Sequence, residues 1–481
     1  MATGVLPVSH AATQTSDRMS AGAWAWALYQ GFRDPSNMVI NIYVFMPYFA
    51  AVVVGDAVVG QARVAQMATV VGLLVAITAP LLGAALDRLG ARKPWLMLAT
   101  ACHAAALATL WFSGAGLGVL GTLAVLVLCG LFFQFADVLF VAMLPYAAPA
   151  SLTARASGLG QALGNIMSVA VLVLVLWLFI LPGQVAAPFV PAAPLLGLDP
   201  VLHEPQRFAG PLTAAVLVLG SLPLFLLTRD APPTGTPARR AIAAAPRELW
   251  RSVQVIRGDR DGLIFLISRM LYTDGLVTML VFTGVYTAGV FRWAPLDLLA
   301  FGLTASAAAA VGGIVAGRLD NAIGPRRALM LELGVCIVGG SAQLGMGLDR
   351  LLYLPYRAEP VWGGPVFKTL PELLYLGIGL FTAAGICAVF ASSRTLLVRI
   401  APPDRLGGYL GLFALSGQAT AWVGPLFVGL ATATFASQRA GFAIIFVLMG
   451  LGLFGLIRLR REGYFQAEPV GDGRGVPLAP A

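Results

Sequence analysis

Twelve apolar runs, each long enough to cross a bilayer, dominate the chain: residues 22–54, 63–85, 94–113, 117–146, 153–182, 208–228, 261–290, 296–317, 327–348, 370–397, 405–434 and 438–458. A helix spanning the hydrocarbon needs about 20 such residues, and it alone satisfies every backbone polar group within one segment. Only 11% of the 481 residues are charged and 58% are hydrophobic, against about 25% charged in soluble domains. The expected fold is an all-α polytopic membrane protein with twelve transmembrane helices.

A short basic hairpin is written twice between these runs. Gly83-Ala-Ala-Leu-Asp87-Arg88-Leu-Gly90-Ala-Arg92-Lys93 joins the second run to the third. Gly317-Arg318-Leu-Asp320-Asn321-Ala-Ile-Gly324-Pro-Arg326-Arg327 joins the eighth to the ninth, 234 residues later. The repeat predicts two pseudo-symmetric six-helix bundles, the plan of a secondary transporter. The resulting organisation is a disordered tail over 1–21, a first bundle over 22–228, a linker over 229–260, a second bundle over 261–458 and a tail over 459–481. The linker opens with Pro232-Pro233-Thr-Gly235-Thr-Pro237 and continues through Trp250, Arg251 and Arg257 with helical apolar spacing and a basic face. That pattern predicts a helix lying in the membrane interface.

Charge sets the orientation. With both termini inside, inner segments hold 22 of the 31 lysines and arginines and outer segments hold seven. This bias predicts cytoplasmic termini and residence in the cell's inner membrane. It also accounts for the net charge of +9 without nucleic acid, because the basic residues are scattered through short loops. Cys102, Cys129, Cys336 and Cys387 fall inside apolar runs without metal-ligand spacing, and His10, His103 and His203 are dispersed. No metal, cofactor or catalytic constellation is expected, and no Gly-Lys-Ser/Thr phosphate loop occurs to support an ATP-driven pump.

An ionised group at mid-membrane costs roughly 2.5–3.5 kcal/mol on insertion scales, so each such group should face protein or a wet cavity. The first run contains Tyr29-Gln30-Gly31-Phe32-Arg33-Asp34-Pro35-Ser36-Asn37 and then Asn41. Two readings stand. Asp34 and Pro35 form a good helix start, leaving 35–54 as the span; alternatively one long helix kinks at Pro35 and carries Arg33 and Asp34 to the cavity. The seventh run contains Arg269-Met-Leu-Tyr272-Thr-Asp274-Gly275, an echo of the first at a similar offset. The two runs are expected to be counterparts. Arg33 and Asp274 are the first choice for an ion pair across the cavity, set against a permanent structural pair between the bundles. Gln134 and Asp137, Gln161 and Asn165, and Ser416 and Gln418 complete the polar set. Gln161 and Asn165 share a helix face with Gly160 and Gly164, which suits either close helix packing or substrate contact. Asp137 and Asp274 are the candidates for reversible protonation. Glu332, near the end of its run, is expected to be structural.

The first hairpin resembles the loop signature of the major facilitator superfamily. The likeness extends to Trp26 and Tyr29 with Phe45-Met-Pro47-Tyr48-Phe49, Ala142-Met-Leu-Pro145, Ser157-Gly-Leu-Gly160, Leu271-Tyr-Thr-Asp274-Gly275, Ser393-Arg394, and the stretch from Gly411 through Ser416, Gln418 and Trp422 to Pro425. Together these are similar to the branch containing the fungal vacuolar amino-acid effluxer. The resemblance implies alternating access by rocking of two bundles. It places Ser393, Arg394 and Trp422 with the cavity residues and assigns Gly83, Asp87, Arg88, Gly90, Arg92 and Lys93 to a cytoplasmic gate. At the second hairpin Gly317, Asp320, Arg326 and Arg327 survive, but Asn321 and Ala322 stand where the pattern has Asp and Arg, which predicts an asymmetric gate. Gln30 occupies a position that is acidic in many relatives.

The expected function is secondary transport of a small polar solute, with amino-acid efflux as the substrate class implied by analogy and a proton as the coupling ion. The expected partners are the solute and the bilayer, with the protein a monomer. Two alternatives remain: a non-transporting membrane assembly or pigment-delivery factor, and a sugar/cation symporter. The second run has no acid before Asp87 to coordinate a cation, which counts against the symporter.

Overall fold

The computed structural model describes residues 19–460 apart from 115, 149–151, 184–189, 235–239, 241–242, 244–253, 255–257 and 402–405. The expected interfacial helix of the linker and most of both tails lie outside the described residues. So do the side chains of Asp87 and Arg88, although their backbone is helical.

Among the described residues, eleven helices are long and apolar enough to cross a membrane. They are α1 (Ala21–Val53), α2 (Ala57–Leu89), α3 (Lys93–Phe112), α4 (Gly118–Ala147), α5 (Thr153–Val175, extended by a wide turn over Leu176–Ile180), α6 (Glu204–Leu227), α7 (Arg260–Val290), α8 (Pro295–Ile323), α9 (Pro325–Leu344), α10 (Leu370–Ile400) and α12 (Gln438–Ile457). The expected run 405–434 is instead a broken helix, α11, with halves Leu406–Ala419 and Val423–Phe435. Pro425 has no N–H and its ring crowds the carbonyl four residues back, so the chain unwinds over Thr420–Trp422 rather than continuing.

Local chemistry sets the helix ends. The Ser20 side chain accepts from Ala23 N at 3.1 Å to start α1, and Asp259 accepts from Asp261 N and Gly262 N to start α7. Glu372 accepts from both Thr369 N and Thr369 Oγ1 at 2.8 Å at the head of α10, a reciprocal cap that satisfies donors the helix cannot. Of the two readings of the first run, the single long helix holds. Asp34 stays helical and bonds back to Gln30 O, and the wider π-helical turn Asn37–Tyr43 absorbs the proline.

Helices α1–α6 and α7–α12 form two bundles. Gly22 lies beside Thr228, and the start of α9 lies beside the end of α12. Both described ends of the chain therefore share one face with the two hairpins, here called the terminal face. The bundles meet from the middle of the membrane toward the opposite face. Gly284 of α7 is so close to Ile42 of α1 that a Cβ would collide with the Ile42 carbonyl. A Cβ on Gly302 of α8 would stand 2.7 Å from the Tyr43 ring, and one on Gly72 of α2 would stand 2.6 Å from Trp422 N. Gln61 of α2 donates to Thr432 Oγ1 at 2.9 Å and to Gln438 O at 3.1 Å, while Gln438 donates back to Ala57 O at 3.1 Å. The contacts between the bundles thus close the opposite face, whereas Gly83 and Gly317 near the terminal face have no atom within 4 Å of a Cβ position.

Candidate functional site

Arg33 is the centre of the first bundle's charge. Its side chain is 4% exposed, and Nη2 and Nε donate to Asp34 Oδ1 at 2.8 and 3.0 Å. Nη1 lies 2.7 Å from Asp137 Oδ1 on α4, an ion pair in contact without hydrogen-bond alignment. The guanidinium also lies over Phe133 and Phe140, 4.9 and 5.2 Å from the ring centroids. One cation therefore holds two carboxylates, and Asp137 is 35% exposed. Such exposure at this depth suits a wet cleft. The first-choice pair Arg33–Asp274 is not formed here, because Arg33 is neutralised within its own bundle.

Gln30 extends the cluster, donating to Asp34 Oδ2 at 3.1 Å and to Gln161 Oε1 on α5 at 3.2 Å. The small residues of the α5 face do serve close packing. Gly160 and Gly164 admit Gln30 and Asp34 at close range, while Gln161 and Asn165 are exposed. Asn41 donates to Asn37 at 2.8 Å on the same side of α1.

In the second bundle, Arg269 donates to the Phe413 carbonyl at 2.8 Å and to Ser416 Oγ at 2.5 Å, and lies 3.5 Å over the Phe413 ring. Among the described residues it forms no ion pair. Arg394 on α10 is exposed, its Nε reaching Phe390 O at 3.4 Å. Asp274 turns to the break in α11. Its Oδ2 accepts from Gly424 N at 2.6 Å, capping the second half-helix, where the exposed amides and the helix dipole favour a carboxylate.

Three of the expected cavity residues do not line a cavity. Tyr29 and Tyr272 are fully buried and Ser393 is 2% exposed. Tyr29 bonds Thr100 Oγ1 and Tyr272 bonds Ser393 Oγ, each at 2.8 Å. Both tyrosines of the echo thus pack inside their own bundles, Tyr29 against α3 and Tyr272 against α10. Trp422 Nε1 donates to Ala419 O at 3.2 Å across the helix break.

Gln134 on α4 donates to Gln418 on α11 at 3.4 Å, joining the bundles near mid-membrane. On the terminal-face side of this bridge, Asp137 follows Gln134 by one turn and Ser416, which holds Arg269, precedes Gln418. The first bundle thus carries Asp34 and Asp137 against Arg33, and the second carries Arg269 and Arg394 with the buried Asp274.

At the first hairpin, Asp230 accepts from Arg92 N and Lys93 N at 2.9–3.0 Å, and Lys93 Nζ donates to Phe225 O at 2.9 Å. Gly90 has φ +77 and is so close to Pro232 that a Cβ would clash. The linker's first residues thus clamp this hairpin to the end of α6. At the second, Arg326 donates to Leu456 O and Ile457 O at the end of α12. Gly317 has open space around it, Asp320 is 5% exposed and Arg327 is exposed. Glu332 accepts from Ser392 at 3.0 Å inside the bundle. Sequence reasoning missed Asp230, the Gln61–Thr432–Gln438 latch and the outer glycines. Gln61 and Gln438, at the edges of their apolar runs, carried no signal that set them apart from other loop-side glutamines.

A profile described as "Vacuole effluxer Atg22 like" matches residues 52–463. Autophagy-related protein 22 of Yarrowia lipolytica is 24% identical over 335 residues, 66% of this chain and 52% of that protein. The chain thus spans about half the length of that curated relative, and less of another that it matches. Among solved structures, a mutant of the nucleoside transporter NupG superposes with a TM-score of 0.65 at 10% identity, covering 92% of this chain and all of that one. A D-xylose-proton symporter gives 0.63 at 13% identity, covering 92% and 98%. These likenesses show the two-bundle major facilitator fold. With the profile covering most of its length, the chain belongs to the vacuole effluxer Atg22-like family.

Proposed function

We propose that the protein is a secondary transporter that moves a small zwitterionic solute, of the amino-acid class, out of the cytoplasm by alternating access. The observation that carries this reading is the split of charge across the cleft. Asp34 and Asp137 share one arginine on the first bundle's wall, while Arg269 on the facing wall is held by neutral groups. A solute with an ammonium at one end and a carboxylate at the other complements both walls, and charge-assisted bonds to each would draw the bundles together. A neutral sugar would leave both walls unanswered. The family's description as a vacuole effluxer supports a solute transporter.

The excess of basic residues in the terminal-face loops supports a cytoplasmic position for that face. The clamp of Asp230 on the 83–93 hairpin, with Arg92 and Lys93, belongs to a gate on that side, and the described state is open to the cytoplasm. Coupling to a proton would use Asp137, the cleft-exposed carboxylate, or Asp274 at the helix break.

The test is flux in proteoliposomes: a panel of amino acids and sugars, with and without a pH gradient. Counterflow of at least one amino acid, and of no sugar, is the expected result. Sugar flux without amino-acid flux, or no flux by protein shown to be folded, overturns the reading.

A further inference from the structure

The closed face holds a second polar space. A cavity of about 350 Å³ lies between the bundles on the far side of the Gly284–Ile42 approach. Its lining includes Tyr43 and Tyr48 of α1, His203 and Gln206 at the head of α6, and Arg292 and Trp293 after α7. Among the described residues no aspartate or glutamate lines it and Arg292, an exposed side chain at its edge, makes no ion pair.

Two backbone facts set this cavity apart. Arg292 has φ 57 and His203 has φ 53, the left-handed region that residues with a Cβ adopt at a cost. Arg292 follows Phe291, the cap residue of α7, at the position where glycine is the usual occupant because it adopts that conformation freely. An arginine held there puts a guanidinium at the cavity's edge at the expense of backbone ease. Gln206 Oε1 is buried without a hydrogen-bond partner, so it offers an acceptor to anything that enters. The aromatic rings of Tyr43, Tyr48 and Trp293 supply apolar contact.

We infer that this cavity binds a small organic carboxylate carrying its own hydrogen-bond donor, with the carboxylate on Arg292 and the donor on Gln206. Because Gln206 belongs to the first bundle and Arg292 to the second, an occupant bridges them and holds the opposite face closed. The site is separate from the central cleft, and the inference does not rest on amino acids being the transported solute.

The experiment is equilibrium binding to the full-length protein in nanodiscs, with L-leucine as probe and leucinamide, which lacks the carboxylate, as control. Binding is measured in a background of Asp137→Asn with Arg269→Gln, which disables the central cleft. Leucine is expected to bind saturably there and leucinamide at least tenfold more weakly. Adding Arg292→Gly should remove leucine binding while leaving the melting temperature equal or higher, because glycine relieves the left-handed backbone. Arg292→Lys should restore part of the binding. Absence of leucine binding in the double-variant background overturns the inference, as does binding that survives Arg292→Gly or that leucinamide matches. Failure of amino-acid flux in proteoliposomes would leave these outcomes unaffected.

Discussion

Replacing Gly284 with alanine should shift the transporter away from the described state. A methyl group at 284 would collide with the Ile42 carbonyl, a backbone atom that no rotamer change moves aside. Overpacking of this kind costs about 1–3 kcal/mol. The contact is made across the bundle interface, so the penalty falls on the outward-closed state and is released when the bundles part. The gain in helix propensity, up to ~1 kcal/mol for glycine to alanine, acts in every state and cancels from the ratio. The ratio of the two states should therefore change by roughly 5- to 150-fold. The assay is labelling of a single cysteine at Gln161, exposed in the cleft, by a membrane-impermeant maleimide from the terminal face, with the native cysteines replaced. Labelling should slow markedly in Gly284→Ala. Gly317→Ala, at a site with open space around it, should leave it unchanged. Equal labelling rates in Gly284→Ala and the parent would refute the placement of the closed interface.

The remaining expectations concern the charges. Exchanging Arg33 and Asp137, as Arg33→Asp with Asp137→Arg, should restore folding and part of the flux lost in either single variant, while the exchange of Arg33 with Asp274 should not; thermal melts and flux distinguish the two. Asp274→Asn keeps an acceptor for Gly424 N and should melt near the parent, whereas Asp274→Ala loses the cap of the second half of α11 at a cost of about 1–2 kcal/mol. Asp87→Asn should impair the transport cycle more than Asp320→Asn, and equal flux losses would contradict an asymmetric gate. In the outer loop, burial raises the Asp349 carboxyl, but hydrogen bonds from Arg439 and Arg350 outweigh it and hold the group below its ordinary value. Its stabilising contribution is therefore present above the unfolded value and lost as pH falls through the folded one. At 60% exposure this amounts to ~1 kcal/mol or less, so Asp349→Asn should flatten the acid limb of the melting curve only slightly.

Much of the architecture was legible because the bilayer imposes a length and a polarity on every crossing segment. The hairpin repeat pointed to the two bundles, and of the two readings left open for the first run the structure takes the single long helix. The break in α11 was not read, because Ala419–Val423 is apolar enough to pass as helix interior. The readable clue was Gly424-Pro425, where a proline ring displaces the preceding turn. Arg33 found its carboxylates on its own helix and on α4, since residues far apart in sequence reveal no mutual distance. Tyr29 and Tyr272 were expected in the cavity, but a tyrosine in a membrane helix serves equally to pack a bundle with its hydroxyl bonded inward. The outer glycines were invisible as gates because close approach between helices leaves no trace beyond a small residue, and glycine is frequent throughout this chain.

The central claim is that two oppositely charged walls select a zwitterion. The most direct measurement is counterflow in proteoliposomes of one amino acid against its decarboxylated amine and its deaminated acid, in the parent, Asp137→Asn and Arg269→Gln. The charge split predicts flux of the amino acid alone, with Asp137→Asn and Arg269→Gln each reducing it at least tenfold. Comparable flux of all three compounds, or flux indifferent to both substitutions, would contradict it.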